Sequence, residues 1–273
     1  MRINVFSIPT RAAHLFVNRT EGLVPFGMRL INVETWTLEE FFGDAIPPYA
    51  ILSHTWGNDT DEMFREVHDG LLDNAHDTNK LVKLRECCQQ AKEDHLYYVW
   101  IDTCCINKID SVELGEAINS MFQWYSKASV CYAYLSDVPS SEEPEASPKP
   151  GSKFSSSRWF QRGWTLQELL APNRLRFYDQ SWKFLSTKGQ MASAIEQIPG
   201  IPRAFLRGWL GLHQASVAQR MSWAAGRVTK RKDGPEGTAN LEGGTRHFTV
   251  RLRQVYRHCC ARATPSGAGS IRR

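Results

Sequence analysis

The sequence predicts an α/β fold: an open, mainly parallel sheet with helices on both faces. Two observations carry this. The runs Tyr97 to Asp102 and Val130 to Leu135 are aromatic and β-branched, with no charge before Asp102, the composition of strands buried on both faces. Between and before them lie stretches whose apolar residues recur every three or four positions, as amphipathic helices require.

The elements follow in order. Tyr49 to Ser53 is a short apolar run entered from Pro47-Pro48 and left through Trp56-Gly57-Asn58-Asp59, which predicts a buried strand ending in a polar loop. From Asn79, residues Leu81, Leu84, Cys88 and Ala91 form one stripe, with Lys80, Lys83, Arg85 and Glu86 between them, so a helix runs to Asp94-His95. The strand at 97–102 follows, giving a strand, helix, strand unit whose expected connection is a right-handed parallel crossover. The pattern repeats with a helix over Glu113 to Lys127, striped by Leu114, Ala117, Ile118, Met121, Phe122 and Tyr125, and the strand at 130–135. Residues 139–156 are rich in Ser, Pro and Glu and read as a mobile surface loop. Thr165 to Leu170 then reads as a short helix stopped by Pro172, and Leu175 to Tyr178 as a fourth strand. In such sheets ligands collect at the carboxyl ends of the strands, here 53–57, 102–107 and 136–137.

With 273 residues, 42% hydrophobic and 23% charged, the chain suits one principal domain with frayed ends. No run of eighteen apolar residues exists, which argues against a membrane span. Seven cysteines, with vicinal pairs at 87–88, 104–105 and 259–260, do not form a secreted disulfide pattern and fit a reducing cytoplasm. The net charge of +4 belongs to residues 227–273, which hold 11 Lys/Arg against 3 Asp/Glu; the rest is net acidic. That tail lacks helical periodicity and interleaved aromatics, so a solvated, disordered segment is expected in preference to a nucleic-acid module. No phosphate loop of the Gly-x-x-x-x-Gly-Lys-Ser/Thr type and no Gly-x-Ser-x-Gly occurs, which removes the main support for NTPase, kinase and serine-hydrolase readings.

Four segments, PPYAILSHTWG (47–57), YVWIDTCCINK (98–108), EAINSMFQWYSKASVCYAYLSDV (116–138) and SRWFQRGWTLQELLAP (157–172), together resemble the fungal heterokaryon-incompatibility (HET) domain family. MRLINVETWTLEEFFGD (28–44) resembles the usual start of such proteins, and SVAQRMSWAAGR (216–227) their later portion. The resemblance implies a leader at 1–27 outside the fold, a HET domain over 28–226 with its core at 47–182, and a basic, aberrant or disordered tail at 227–273. It implies self/non-self recognition and programmed cell death signalling, with self-association of HET domains and a nucleotide-binding receptor acting in trans. A non-enzymatic adaptor or an inactive truncated fragment is the rival reading. The family is in turn distantly similar to TIR domains, flavodoxin-like three-layer modules of which some hydrolyse NAD. No cofactor is required by this resemblance, and NAD enters as a substrate.

The TIR likeness singles out Glu168, which follows Ser157-Arg158-Trp159 as the catalytic glutamate of TIR-type hydrolases follows a Ser-x-Trp segment. A carboxylate suits the task, because cleaving an N-glycosidic bond builds positive charge on the ribose. The competing role is structural, an ion pair with Arg162 or Arg174. Ser53, Trp56 and Gly57 follow the first strand, where backbone N–H groups could approach a phosphate and Trp56 stack on a base. Asp102 ends the second strand and completes the candidate binding set, with helix N-cap as its alternative role. His54 is a candidate base, and Cys104 with His54 or His95 a weaker candidate nucleophile. Adjacent Cys104 and Cys105 do not match zinc-ligand spacing, so no metal site is expected. Trp159, Trp164 and Trp182, with Phe160 and Phe177, read as packing residues.

Overall fold

A computed structural model describes residues 27–55, 67–69, 81–140 and 151–228. Seven strands form one mixed sheet: β1 (Met28–Asn32), β2 (Leu38–Phe41), β3 (Ala50–His54), β4 (Tyr98–Trp100), β5 (Val130–Tyr134), β6 (Leu175–Tyr178) and β7 (Phe184–Thr187). Their spatial order is β2-β1-β4-β3-β5-β6-β7. The four strands expected from sequence are the contiguous centre, β4-β3-β5-β6, and every pair within it is parallel. The three that sequence reasoning did not assign, β1, β2 and β7, add antiparallel flanks. β2 is Leu-Glu-Glu-Phe, half exposed at the sheet edge, and edge strands of this kind lack the unbroken apolar run that marks a buried one.

All five residues of β3 and of β5 are buried, so both faces of the centre are covered. Alternation along the strands assigns the layers. Leu52, Tyr132 and Arg176 are cross-strand neighbours on one face. There the Tyr132 hydroxyl donates to Asp94 at 2.7 Å and Arg176 bonds both Asp94 oxygens at 2.8 Å, at the end of helix α1 (Val82–Glu93). Ser53, Ala133 and Phe177 share the opposite face. Trp159 packs edge-on against Phe177 at 5.7 Å, bringing in α5 (Arg158–Gln161) and then α6 (Thr165–Leu170). Between β4 and β5 lie α2 (Asp102–Cys105) and α3 (Ser111–Lys127).

Local chemistry fixes the helix ends. α1 closes where His95 takes a left-handed φ of 58° and Leu96 N–H returns to the Ala91 carbonyl at 2.8 Å. α3 begins before Glu113, because Asp110 accepts from the Val112 and Glu113 amides at 2.9 and 3.1 Å, an N-cap the apolar stripe did not reveal. Within the expected 139–156 loop, residues 141–150 lie outside the described set. Its end is not loop: Ser152 caps a helical turn, α4 (Lys153–Ser156), which seats Phe154 against Phe160 and Phe177. After β7 come α7 (Ala192–Gln197), α8 (Arg203–Leu206) and α9 (Val217–Ala224).

The expected tail boundary moves. Val228 N–H donates to the Gln161 carbonyl at 2.7 Å and Gly163 N–H to the Val228 carbonyl at 3.0 Å, so Arg227 and Val228 are part of the fold. Residues 229–273, and residues 1–26 of the leader expected at 1–27, lie outside the described residues. Among the described residues no helix is long and apolar enough to cross a membrane.

Candidate functional site

The parallel centre places β3 between β4 and β5, so the chain leaves β3 for a helix and strand on one side and returns on the other, which makes the β3/β5 junction the switch point where ligands of such sheets collect. Ser53, at the carboxyl end of β3, meets Glu168 of α6 there. Trp159 Nε1 donates to Ser53 Oγ at 2.8 Å, and the Ser53 hydroxyl donates to Glu168 Oε2 at 2.5 Å. An indole nitrogen only donates, so the Trp159–Ser53 bond runs one way and leaves the Ser53 hydroxyl proton for Glu168. All three side chains are buried, Ser53 and Trp159 completely.

Glu168 is thus more than a surface carboxylate on a short helix. Burial pushes its carboxyl up to about 8, against the hydrogen bond from Ser53; Asp102 adds to the rise, and Arg162 and Arg227 resist it. At neutral pH the group is therefore protonated and neutral in this arrangement. The expected ion pair gives way to this contact: the hydrogen-bond partner of Glu168 is Ser53, Arg174 is exposed, and Arg162 acts through its charge.

Asp102 and His54 form a second cluster. Asp102 is the first residue of α2, whose N-cap is Ile101 with no side-chain cap bond, so the cap role is not the one it plays. Its carboxylate lies 3.8 Å from His54 Nδ1, too far for a hydrogen bond, and Nδ1 is buried without a hydrogen-bond partner among the described residues. Burial lowers the His54 imidazole to about 3, against the pull of Asp102, so His54 is neutral at physiological pH. His54 follows Ser53 in the strand and so points to the other face, toward Lys83 of α1, whose ammonium donates to the Thr55 carbonyl at 3.1 Å. Ser53 and Asp102 therefore approach Glu168 differently, one by direct contact and the other by charge alone. Trp56 and Gly57 lie outside the described residues.

The mouth between β5 and α5 is built by Asp137. It accepts from Ser157 Oγ at 2.7 Å and from the Arg158 amide at 2.8 Å, which anchors the start of α5 and so the position of Trp159. Burial opposes ionisation of Asp137, but these bonds outweigh it and hold its carboxyl below the usual range.

Trp159 was expected as packing alone. It does pack, edge-on to Phe160 at 5.0 Å and to Phe177, but its N–H also serves the site. Ser-x-Trp ahead of Glu168 was the available signal, though pairing Trp159 with Ser53 across 106 residues needed the fold. Trp182 stacks on Tyr134 at 5.0 Å, while Trp164 is partly buried. Cys104 is fully buried, its sulfur 3.7 Å from the Thr103 hydroxyl, and burial pushes the neighbouring Cys105 thiol well above its ordinary value. A thiol buried away from solvent is a poor nucleophile. Among the described residues no group of three or more His, Cys, Asp and Glu side chains is arranged to hold a metal ion.

A family model described as "Heterokaryon incompatibility protein (HET)" matches residues 49–151. "Vegetative incompatibility protein HET-E-1" of Podospora anserina is 44% identical over 191 residues, covering 69% of this chain and 14% of that protein. The chain thus matches about a seventh of that relative's length. No solved structure matches the chain.

Proposed function

Since the chain belongs to the heterokaryon-incompatibility family through its HET domain, we propose that it acts in fungal self/non-self recognition as a cell-death signalling module. The observation that carries this reading is its 44% identity, over most of its own length, to a protein named for vegetative incompatibility. Signalling proceeds by self-association of the domain in the cytoplasm when a nucleotide-binding receptor, acting in trans, brings copies together. Induced expression of the full chain in a fungal host tests this: growth arrest is expected, and unimpaired growth at confirmed expression refutes it.

A second reading is favoured by the position of Glu168 at the switch point of the sheet, beside Ser53 and Trp159. In it the domain hydrolyses NAD. The bond between ribose C1′ and the nicotinamide nitrogen breaks, nicotinamide leaves with the electron pair, and water adds to C1′ and gives up a proton. An ionised Glu168 would stabilise the positive charge that develops on the ribose. As folded, Glu168 is buried, protonated and bonded to Ser53, so the reactive form needs the site to open to NAD and the carboxyl to lose its proton. Self-association supplies an event that could drive the opening, which ties the two readings together. NAD consumption by the purified full chain at high concentration is the test, with Glu168→Gln as the control: a folded parent that leaves NAD intact refutes the enzymatic reading and leaves an adaptor.

A further inference from the structure

Arg227 is the last side chain but one of the described fold, and it reaches back to the helix that carries Glu168. Its Nη1 donates to the Arg162 carbonyl at 3.0 Å and lies 3.0 Å from Thr165 Oγ1, while Nε donates to the Trp223 carbonyl at 3.2 Å. Thr165 Oγ1 in turn bonds the Trp159 and Arg162 carbonyls, the latter at 2.8 Å. The Val228 backbone is stitched to Gln161 and Gly163 on the same turn. Thr165 and Glu168 are three residues apart on α6, so their side chains share a helix face. One edge of the Arg227 fork is used up on that face, and its Nη2 is buried with no hydrogen-bond partner among the described residues.

We propose that Arg227 is the positioning residue and latent counter-ion of Glu168, pinning the turn into α6 with one edge of its guanidinium and keeping Nη2 for the carboxylate. A buried N–H of a guanidinium left unpaired is costly, and the compensation is an anion that the same site can generate. The charged groups that act on Glu168 are Asp102 from α2, Arg162 from the α5–α6 turn and Arg227 from beyond α9, while Glu168 itself pushes up Tyr125 of α3 and Cys131 of β5. Burial lowers Arg227 to about 10, against the attraction of Glu168, so it stays charged at neutral pH. When Glu168 loses its proton, Ser53 and Arg227 hold the anion from two sides. The segment after α9 thereby sets how readily the carboxylate forms, which makes its docking on residues 161–163 part of the site.

The inference rests on the preceding reading only in taking Glu168 as the working carboxyl, and its test does not need turnover. The side-chain carboxyl carbon of Glu168, assigned by comparison with Glu168→Gln, is titrated by NMR in the full chain and in Arg227→Gln and Arg227→Lys. Losing the cation raises the Glu168 midpoint by about one pH unit in Arg227→Gln, and by less in Arg227→Lys, which keeps the charge but not the fork. An unchanged midpoint in folded Arg227→Gln overturns the proposal. Should Arg227→Gln fail to fold at pH 8, the double variant with Glu168→Gln decides: recovery of the parent's circular dichroism supports a counter-ion role, and failure to recover refutes it. NAD consumption, read separately, bears on the hydrolase reading and not on this pair.

Discussion

Replacing Glu168 by Gln tests whether this carboxyl is held neutral inside the domain, because the two groups have one shape and differ in the ability to ionise. Burial raises the carboxyl from 4.5 to about 8. Below 4.5 the group is protonated both folded and unfolded and contributes no pH dependence. Between 4.5 and 8 the unfolded chain releases a proton that the folded chain keeps, so stability falls as pH rises, by about 1.4 kcal/mol per unit for one proton. His54 acts in the opposite sense: its folded value is lowered from 6.5 to about 3, so stability falls as pH drops below 6.5 and masks the Glu168 slope there. Lys188, its ammonium lowered to about 8 by burial, titrates through the upper end of the same range. The His54 and Lys188 contributions are common to parent and variant, so the difference between the two over pH 6.5 to 8 isolates Glu168. Urea unfolding of the full chain at half-unit intervals should show the parent losing roughly 1.5 kcal/mol relative to Glu168→Gln across this range. Parallel curves for the two proteins would mean that Glu168 ionises in the folded state as it does unfolded, and the neutral, Ser53-bonded carboxyl would have to be abandoned.

Trp159→Phe keeps the ring contacts with Phe160 and Phe177 but removes the donor to Ser53; a loss of about 1 to 3 kcal/mol in urea unfolding is expected, and a neutral result would deny the hydrogen-bond chain. Ser53→Ala removes the link between Trp159 and Glu168, so combining the two substitutions should cost less than their sum by at least about 0.5 kcal/mol, whereas strict additivity would show that the three side chains do not act as a unit. Asp137→Ala strips the start of α5 of its acceptor and should cost roughly 1 to 2 kcal/mol, with thermal unfolding as the readout. Lys188 donates to the Leu169 and Pro172 carbonyls at the end of α6, so Lys188→Met leaves both unsatisfied; about 1 to 3 kcal/mol should be lost at pH 7, and an unchanged midpoint would show those carbonyls find other partners.

The sequence by itself determined the parallel centre of the sheet and the order of its helices. Residues 49–52, 98–100 and 130–134 are apolar or aromatic on both faces, and such runs have few alternatives to a buried parallel strand. Leu84, Cys88 and Ala91 spaced by three and four place α1 without reference to any partner. The ends Thr165–Leu170 and Leu175–Tyr178 were legible because Pro172 separates them. The Ser-x-Trp segment singled out Glu168 as a candidate only. Only the tertiary structure decided what Glu168 does with its proton, since that depends on Ser53 at the end of one strand, Trp159 in another layer and Arg227 beyond the last helix. The edge strands β1, β2 and β7 belong to the same class: short and partly polar, they are held by neighbours and not by their own pattern. Periodicity reports which face of an element is buried, and it carries no information about which distant polar group will be buried against it. That pairing is set when the sheet brings residue 53 against residue 168, and a local reading of either segment cannot contain it.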